Sequence, residues 1–351
     1  MSFFGNQSNW QLRSLKEIAT LKRGYDLPTK LRTAGKVPIY AANGQNGSHN
    51  EAKIKGPGVI TGRSGTIGKV HYTSTDYWPL NTSLYVTNFH GNDPKWVFYM
   101  LKAFQLERFV EGAGVPTLNR NLVHDELIPL PPLDEQKRIA AILDKADTIR
   151  RKRQQAIQLA DDFLRSVFLD MFGDPVTWNK NDIAKGWTVK PIEEISLLKR
   201  GYDLPKQSRL EGNIPIYAAN GITGTHNEFK VKGPGVITGR SGTIGKVIYS
   251  ENDFWPLNTA LYVTNFYGNN PKYIEWYLRF LNLERYVQGA GVPTLNRNLF
   301  LKEVSAVPPK AEQDRFEVIC KLVSQLIFKN LDFNKKELFN SLSQKAFAGE
   351  L

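Results

Sequence analysis

The residues best equipped for chemistry stand in one glycine-rich string, Gly62-Arg63-Ser64-Gly65-Thr66-Ile67-Gly68-Lys69. A phosphate loop of the form GxxxxGK[ST] needs Gly at position 63, which is Arg63, and Ser or Thr at position 70, which is Val70. The spacing is wrong for a nucleotide. Two readings stay open: glycine turns of a hairpin between strands, or a tight basic loop. In the second, backbone N–H groups, Arg63 and Ser64 would meet nucleic-acid phosphates or base edges. Other chemistry is scarcer. Five His and one Cys cannot build a Cys/His metal cluster. His49-Asn50-Glu51 resembles a fragment of a nuclease string, but one His and one Glu do not make a metal site, and a loop hydrogen bond is the plainer role. There is no GxSxG, no HExxH and no dinucleotide GxGxxG after a strand. An adenine or cytosine methyltransferase needs a glycine-rich cofactor motif and an Asn/Asp-Pro-Pro-aromatic motif, yet Pro131-Pro132 and Pro308-Pro309 follow Leu130 and Val307. The chain reads as a binder with no cofactor and no catalytic residues of its own.

The same string returns at Gly239–Lys246, inside a longer duplication. With one offset of 177 and no gaps, Lys22–Leu122 lies over Lys199–Leu299, and 70 of the 101 positions are identical. Periods of about 20–50 residues mark solenoids; this one marks two whole domains with one fold and one kind of ligand surface.

Net charge follows the repeat. The first copy carries 13 Lys+Arg against 6 Asp+Glu and the second 12 against 7, which together equal the +12 of the whole chain, so the remainder is neutral. Basic excess confined to two copies of one domain is the footprint of a polyanion-binding surface. No apolar run approaches the ~18 residues of a membrane span, the first residues lack a signal peptide's pattern, and a single cysteine fits a reducing compartment. These features point to a cytoplasmic protein with no membrane partner.

Along the chain, residues 1–21 give a weak helical pattern. Strand-like runs follow at Val37–Ala41, Gly58–Thr61, Lys69–Tyr72 and Leu84–Asn88, then helical segments at Lys95–Phe104 and Leu106–Val110. From Asp134 to Phe172 the apolar residues Ile139, Ile142, Ala146, Ile149, Ala156, Ala160, Phe163, Val167 and Met171 recur at steps of mostly three and four. Phe316, Ile319, Val323 and Leu326 repeat the start of that stripe, and Phe333, Leu338, Leu342 and Phe347 continue it. Each stripe lacks a local place to be buried, so the helices are expected to pair, antiparallel, with a domain at either end and a twofold-like relation between the domains. The expected organisation is α+β: domain 1 over 1–133, a long helix over 134–173, domain 2 over 174–310 and a second long helix over 311–351.

Candidate ligand contacts are the polar and basic residues of duplicated loops. Lys22, Arg23 and Tyr25 return as Lys199, Arg200 and Tyr202. Arg63, Ser64, Thr66 and Lys69 return as Arg240, Ser241, Thr243 and Lys246, and Asn119 and Arg120 return as Asn296 and Arg297. An Arg beside amide side chains is the combination that base edges favour. Asn43 and Asn220, like Asn81 and Asn258, sit where a turn role competes with contact. Ile139, Ile142, Ile149, Phe163, Phe316, Ile319 and Leu326 are candidates for binding protein partners. The run Arg150–Arg153 reads as a solvated helix face or a DNA-backbone contact.

Ile128–Ala140 (IPLPPLDEQKRIA), Gly62–Lys69 (GRSGTIGK) and the closing Phe347–Leu351 (FAGEL) resemble the specificity subunit of Type I restriction–modification enzymes, over essentially the whole chain. The resemblance implies two target recognition domains, each reading half of a bipartite site in double-stranded DNA. It implies a helical spacer that docks two modification subunits, with separate restriction motor subunits and no cofactor of its own. The second helix start, Val307–Gln313, is a degraded copy, so contacts there are less fixed. The family usually carries unlike recognition domains; near-identical ones imply matching half-sites, inverted if a twofold relates the domains. Any difference between them should map to Gln45-Asn46 against Ile222-Thr223 and to Thr29–Ala34 against Lys206–Glu211. A stand-alone nuclease and a coiled-coil adaptor without DNA are the competing functions.

Overall fold

The computed structural model describes residues 2–112, 116–177, 184–289, 291, 293–330 and 336–351. The chain forms two compact units. One combines residues up to Gln154 with the last helix, and the other begins at Gln155.

In unit 1 the strands are β1 (Gln11–Ser14), β2 (Thr20–Arg23), β3 (Val37–Ala41), β4 (Gly44–His49), β5 (Gly58–Gly62), β6 (Val70–Thr73), β7 (Trp78–Pro79), β8 (Ser83–Asn88), β9 (Val110–Glu111), β10 (Thr117–Leu118) and β11 (Leu127–Leu130). The helices are α1 (Leu15–Ile18), α2 (Pro94–Ala103) and α3 (Arg120–His124), leading into α4 (Leu133–Phe172). An antiparallel sheet of order β2-β8-β5-β6 carries the core, and β4-β3-β7 forms a smaller sheet beside it. The pairs Arg23↔Leu84, Thr61↔Leu84 and Thr61↔Val70 fix the register in which Arg23 and the 62–69 loop are presented. β1 pairs with β11 and β9 with β10, both antiparallel.

Unit 2 repeats both sheets with the same strand order, Leu197–Arg200, Ala260–Asn265, Gly235–Gly239 and Val247–Ser250 forming the larger one. Its helices are α5 (Pro271–Phe280), α6 (Arg297–Phe300) and α7 (Lys310–Asn330); α8 (Lys336–Ala348) belongs to unit 1. Among the described residues no helix is long and apolar enough to cross a membrane.

The mixed helix and sheet content and the long helix over 134–172 are as the sequence predicts; three features differ. The lead-in is not one helix: strand β1, the single turn α1 and the start of β2 occupy it, with Leu15, Ile18 and Leu21 fully buried. The second long helix is described as two pieces, α7 and α8; Phe333 lies outside the described residues. Most instructive is where the apolar stripes go. Ile139, Ala140 and Leu143 sink into unit 1's own core with Trp96, Phe104, Phe339 and Phe347, and Ala146 packs against it. In unit 2, Phe168 and Phe316 share a core with Tyr273 and Phe280, flanked by Leu164, Val167, Met171 and Phe172. Helical spacing shows that a stripe is covered and leaves the covering surface open; here it includes the recognition domain itself.

The Asp-Glu-Gln of the helix start has a physical role. Asp93 caps α2, its carboxylate accepting from the Trp96 N–H at 2.8 Å, and Pro94 fills the first helical position. Buried Gln136 then locks α4 to that cap: it accepts from the Asp93 N–H at 2.9 Å and donates to Asn92 at 2.8 Å and to the Pro131 carbonyl at 3.0 Å. Gln313 repeats all three bonds with Asn270, Asn269 and Pro308 at 2.8, 2.8 and 2.9 Å. The degraded second copy therefore keeps its clamp.

Candidate nucleic-acid interface

Four separate strings of the sequence meet at one concave surface in each unit. In unit 1, Arg23 from the end of β2, Arg63 from the β5–β6 loop, and Thr117, Asn119, Arg120 and Asn121 from β10–α3 line it together with Glu111. In unit 2 the lining is Arg200, Arg240, Thr294, Asn296, Arg297, Asn298 and Gln288. Every named residue of one lining is the other's partner at the 177 offset, and all are identical except Glu111 against Gln288.

Main-chain bonds assemble the groove. The Leu118 N–H donates to the Arg63 carbonyl at 2.8 Å, which ties the 62–69 loop to β10, and the Asn119 N–H donates to the Phe109 carbonyl at 3.1 Å. Asn119 caps α3 by accepting from the Asn121 N–H at 3.0 Å, which fixes Arg120 at the first helical position. Arg63 Nε donates to the Asn81 carbonyl at 3.2 Å, and Asn81 in turn donates to Asp26. Arg240, Asn258 and Asp203 repeat that chain in unit 2. Asn81 is thus a positioner of Arg63, and the aspartate of the Lys-Arg-Gly-Tyr-Asp string has its use there.

The 62–69 segment is the hairpin joining β5 to β6. A Cβ on Gly62 would lie 1.7 Å from the Thr66 carbonyl oxygen, and Gly68 has φ +84 with Glu107 in the way of any Cβ. Glycine is required at both places. Two of the loop's N–H groups are already spent. The N–H groups of Arg63 and Ser64 both donate to the Thr82 carbonyl, at 2.9 and 3.2 Å, and those of Arg240 and Ser241 to Thr259, so they are not available to a ligand. The Arg63 side chain is half-buried and held by the Asn81 carbonyl.

The other expected contacts scatter around this centre. Asn43 lies exposed in the β3–β4 turn; the adjacent Ala42 carbonyl sits over Gly62. Exposed Lys246 donates to the Asn220 carbonyl at 2.7 Å, so these two form a second edge in unit 2, and Lys69 is likewise exposed in unit 1. Thr66 is half-buried, Thr243 exposed, and Lys22 and Lys199 exposed, all outside the groove lining. Tyr25 and Tyr202 spend their hydroxyls on Tyr85 and Tyr262, 2.9 Å away in each unit. His49 accepts from the Thr33 N–H at 3.0 Å and meets Trp78 edge-on, which is the loop hydrogen bond expected of a structural histidine. Among the described residues no three His, Cys, Asp or Glu side chains are grouped to hold a metal ion.

Of the apolar helix residues expected to meet partners, Ile139 and Phe316 are fully buried inside their own units and cannot do so. Ile142 and Ile319 are half-buried, while Ile149, Phe163 and Leu326 are exposed.

The sequence profile of the Type I restriction modification DNA specificity domain matches residues 7–159 and again 184–342. The chain belongs to that family. It is a Type I specificity subunit with two target recognition domains. Over 354 residues, 92% of this chain and 94% of the relative, it is 23% identical to the putative type I specificity subunit S.MpnORF507P of Mycoplasma pneumoniae. It is 24% identical over 155 residues to the EcoprrI specificity subunit of Escherichia coli, covering 42% of this chain and 39% of that one. The crystal structure of a Type I restriction–modification S subunit from M. genitalium superimposes with a TM-score of 0.68 at 18% identity, over 99% of both chains. That likeness speaks for the fold.

Proposed function

We propose that this specificity subunit binds double-stranded DNA sequence-specifically, each unit reading one half of a bipartite site through its arginine groove. The observation that carries this reading is the duplicated lining of three arginines beside a capped, oriented asparagine. Planar guanidinium groups pair bidentately with guanine O6 and N7, and phosphates meet the flanking Lys22, Lys69, Lys199 and Lys246. Because the linings differ at one position, the half-sites are near-identical, and we take them to be inverted. The exposed apolar residues Ile149, Phe163 and Leu326 on the long helices suit docking of two modification subunits, with restriction motor subunits joining the complex. Cofactor and catalysis then reside in those subunits, and this chain itself works without either, in the cytoplasm.

The test is to reconstitute the chain with its modification subunit, methylate genomic DNA and map N6-methyladenine. An interrupted, inverted motif with closely matching halves is expected. Two unrelated halves would refute the inference from near-identical grooves. Loss of DNA binding at every salt concentration would refute the DNA role altogether.

A further inference from the structure

We infer that the two half-sites differ in hydrogen-bonding sense at one base, read by Glu111 in unit 1 and by Gln288 in unit 2. The inference rests on the DNA-reading role proposed above. Both residues occupy the same place, opposite Thr117 and Thr294 on matching two-residue ladders, and both are exposed at the groove.

A relay of hydrogen bonds fixes what each presents. An amide flip is ordinarily ambiguous, but here a backbone N–H settles it. The Asn298 N–H can only donate, and it does so to Asn296 Oδ1 at 3.1 Å. The Asn296 amino group must therefore face the other way, and it donates to Gln288 Oε1 at 2.9 Å. With its oxygen engaged, the polar group that Gln288 has left to offer a ligand is its amino group, a donor. In unit 1 the relay starts identically, from the Asn121 N–H to Asn119 Oδ1, and continues from Asn119 Nδ2 to Glu111 Oε2 at 2.7 Å. It ends on a carboxylate, whose second oxygen only accepts. The two grooves thus share a shape and three arginines, and at one point carry opposite hydrogen-bonding sense and a charge difference of one.

Base edges in the major groove divide along the same line. An accepting Glu111 selects an edge with an exocyclic amino group, cytosine or adenine. At that same exocyclic position, a donating Gln288 selects the keto oxygen of guanine or thymine. Glu and Gln are nearly isosteric, so exchanging them alters the chemistry and leaves the packing alone.

The experiment selects DNA duplexes from a random-sequence pool with the full-length chain at low salt, comparing wild type, Glu111→Gln and Gln288→Glu. Wild type should enrich a site whose halves agree except at one position, amino-bearing in one half and keto-bearing in the other. Glu111→Gln should make both halves keto-bearing there, and Gln288→Glu both amino-bearing, each shifting preference at that position on the order of tenfold and no other position. Wild-type halves alike at every position, or variants that enrich the wild-type site unchanged, would overturn this inference and leave the DNA-reading role standing. If wild type enriches no sequence, the DNA-reading role falls and this inference with it.

Discussion

The groove and the helix that packs behind the same sheet have diverged at very different rates between the two units. Among the residues shared by both groove linings, Glu111 and Gln288 are the one mismatch. Of the ten residues of α2, only Pro94, Lys95 and Leu101 recur in α5. The groove must offer donors and acceptors at fixed points, so each residue there is specified by chemistry and position together. The helix need only fill volume with apolar groups, and many combinations do so. The substitutions there are correlated. An offset of 175 lays Phe172 on Phe347 and Phe168 on Ser343. Phe172 meets Tyr273 at 5.1 Å and Phe347 meets the equivalent Trp96 at 6.1 Å. Where unit 2 stacks Phe168 on Phe280 at 4.9 Å, unit 1 places two small residues, Ser343 and Ala103. Unit 1 instead packs Phe3 and Phe4 against Phe104, at 5.5 and 5.6 Å.

That contrast can be attacked directly. Phe168→Ala should cost unit 2 about 3–5 kcal/mol, read as lost hydrogen-exchange protection in α5 with α2 unaffected. Equal loss in both helices would mean the units do not pack independently.

Next in size is Asp147, buried on α4, which faces Lys102 at 3.4 Å, Arg150 at 2.8 Å and Arg151 at 3.1 Å. Burial alone would raise its carboxyl, but the Arg150 hydrogen bond and the charges of Lys102, Arg150 and Arg151 hold it below the usual range. In unit 2 the corresponding ion pairs centre on α5, where buried Glu275 meets Lys272 and Arg279 at 2.8 and 2.6 Å. Asp147→Asn should therefore destabilise unit 1 alone, by ~2 kcal/mol. A depressed carboxylate stabilises the fold above its unfolded pKa, so wild type should lose this contribution as pH falls below about 4, and the variant should show no such loss. Chemical denaturation across that range is the check.

In the groove, Arg120 is exposed, whereas Arg297 is half-buried and gives one N–H to the Leu198 carbonyl at 2.5 Å. Each arginine truncated to Ala should weaken DNA binding by about tenfold. Arg120→Ala should also flatten the salt dependence, as removal of a free charge does. Identical salt slopes for the two variants would argue that the grooves are electrostatically equivalent.

The smallest effect concerns His71, whose counterpart is Ile248. Burial, aided by the Lys69 charge, pushes its pKa down. Its neutral form is the one the fold accepts, so stability is full above about 6.5 and declines as pH falls. His71→Ile should remove that decline, by less than about 1 kcal/mol; an unchanged pH profile would show that the imidazole is not the cause.

Much of this architecture was legible in the sequence because it was written twice. The offset, the strand runs and the helix over 134–172 all follow from periodicity and punctuation. The groove was half legible: the strings with Arg23, Arg63 and Arg120 were identifiable, but not that they converge, since convergence depends on the β2–β8–β5 register. The engagement of the Arg63 and Ser64 N–H groups was hidden, because Thr82 accepts from both across a strand boundary that no motif marks. Glu111 could have been found, as the one mismatch inside Val110–Leu122 against Val287–Leu299. The burial of Ile139 and Phe316 could not, because periodicity gives a face and not its neighbour.

Unit 1 is closed by a helix from the far end of the chain: Phe4 touches Phe347 at 5.1 Å, and the Gln7 N–H donates to the Ala348 carbonyl at 2.7 Å. Between Gln154 and Lys336 lie 181 residues. At ribosomal speeds of about 5–20 residues per second, roughly 10–35 seconds separate the two halves of that unit during synthesis. Unit 2 is one continuous stretch and can fold as it emerges. Over the same interval Phe4, Trp96 and Tyr99 wait without Phe347 and Phe339, the rings of α8 that they meet in the finished unit, and exposed apolar surface of that kind is prone to aggregation.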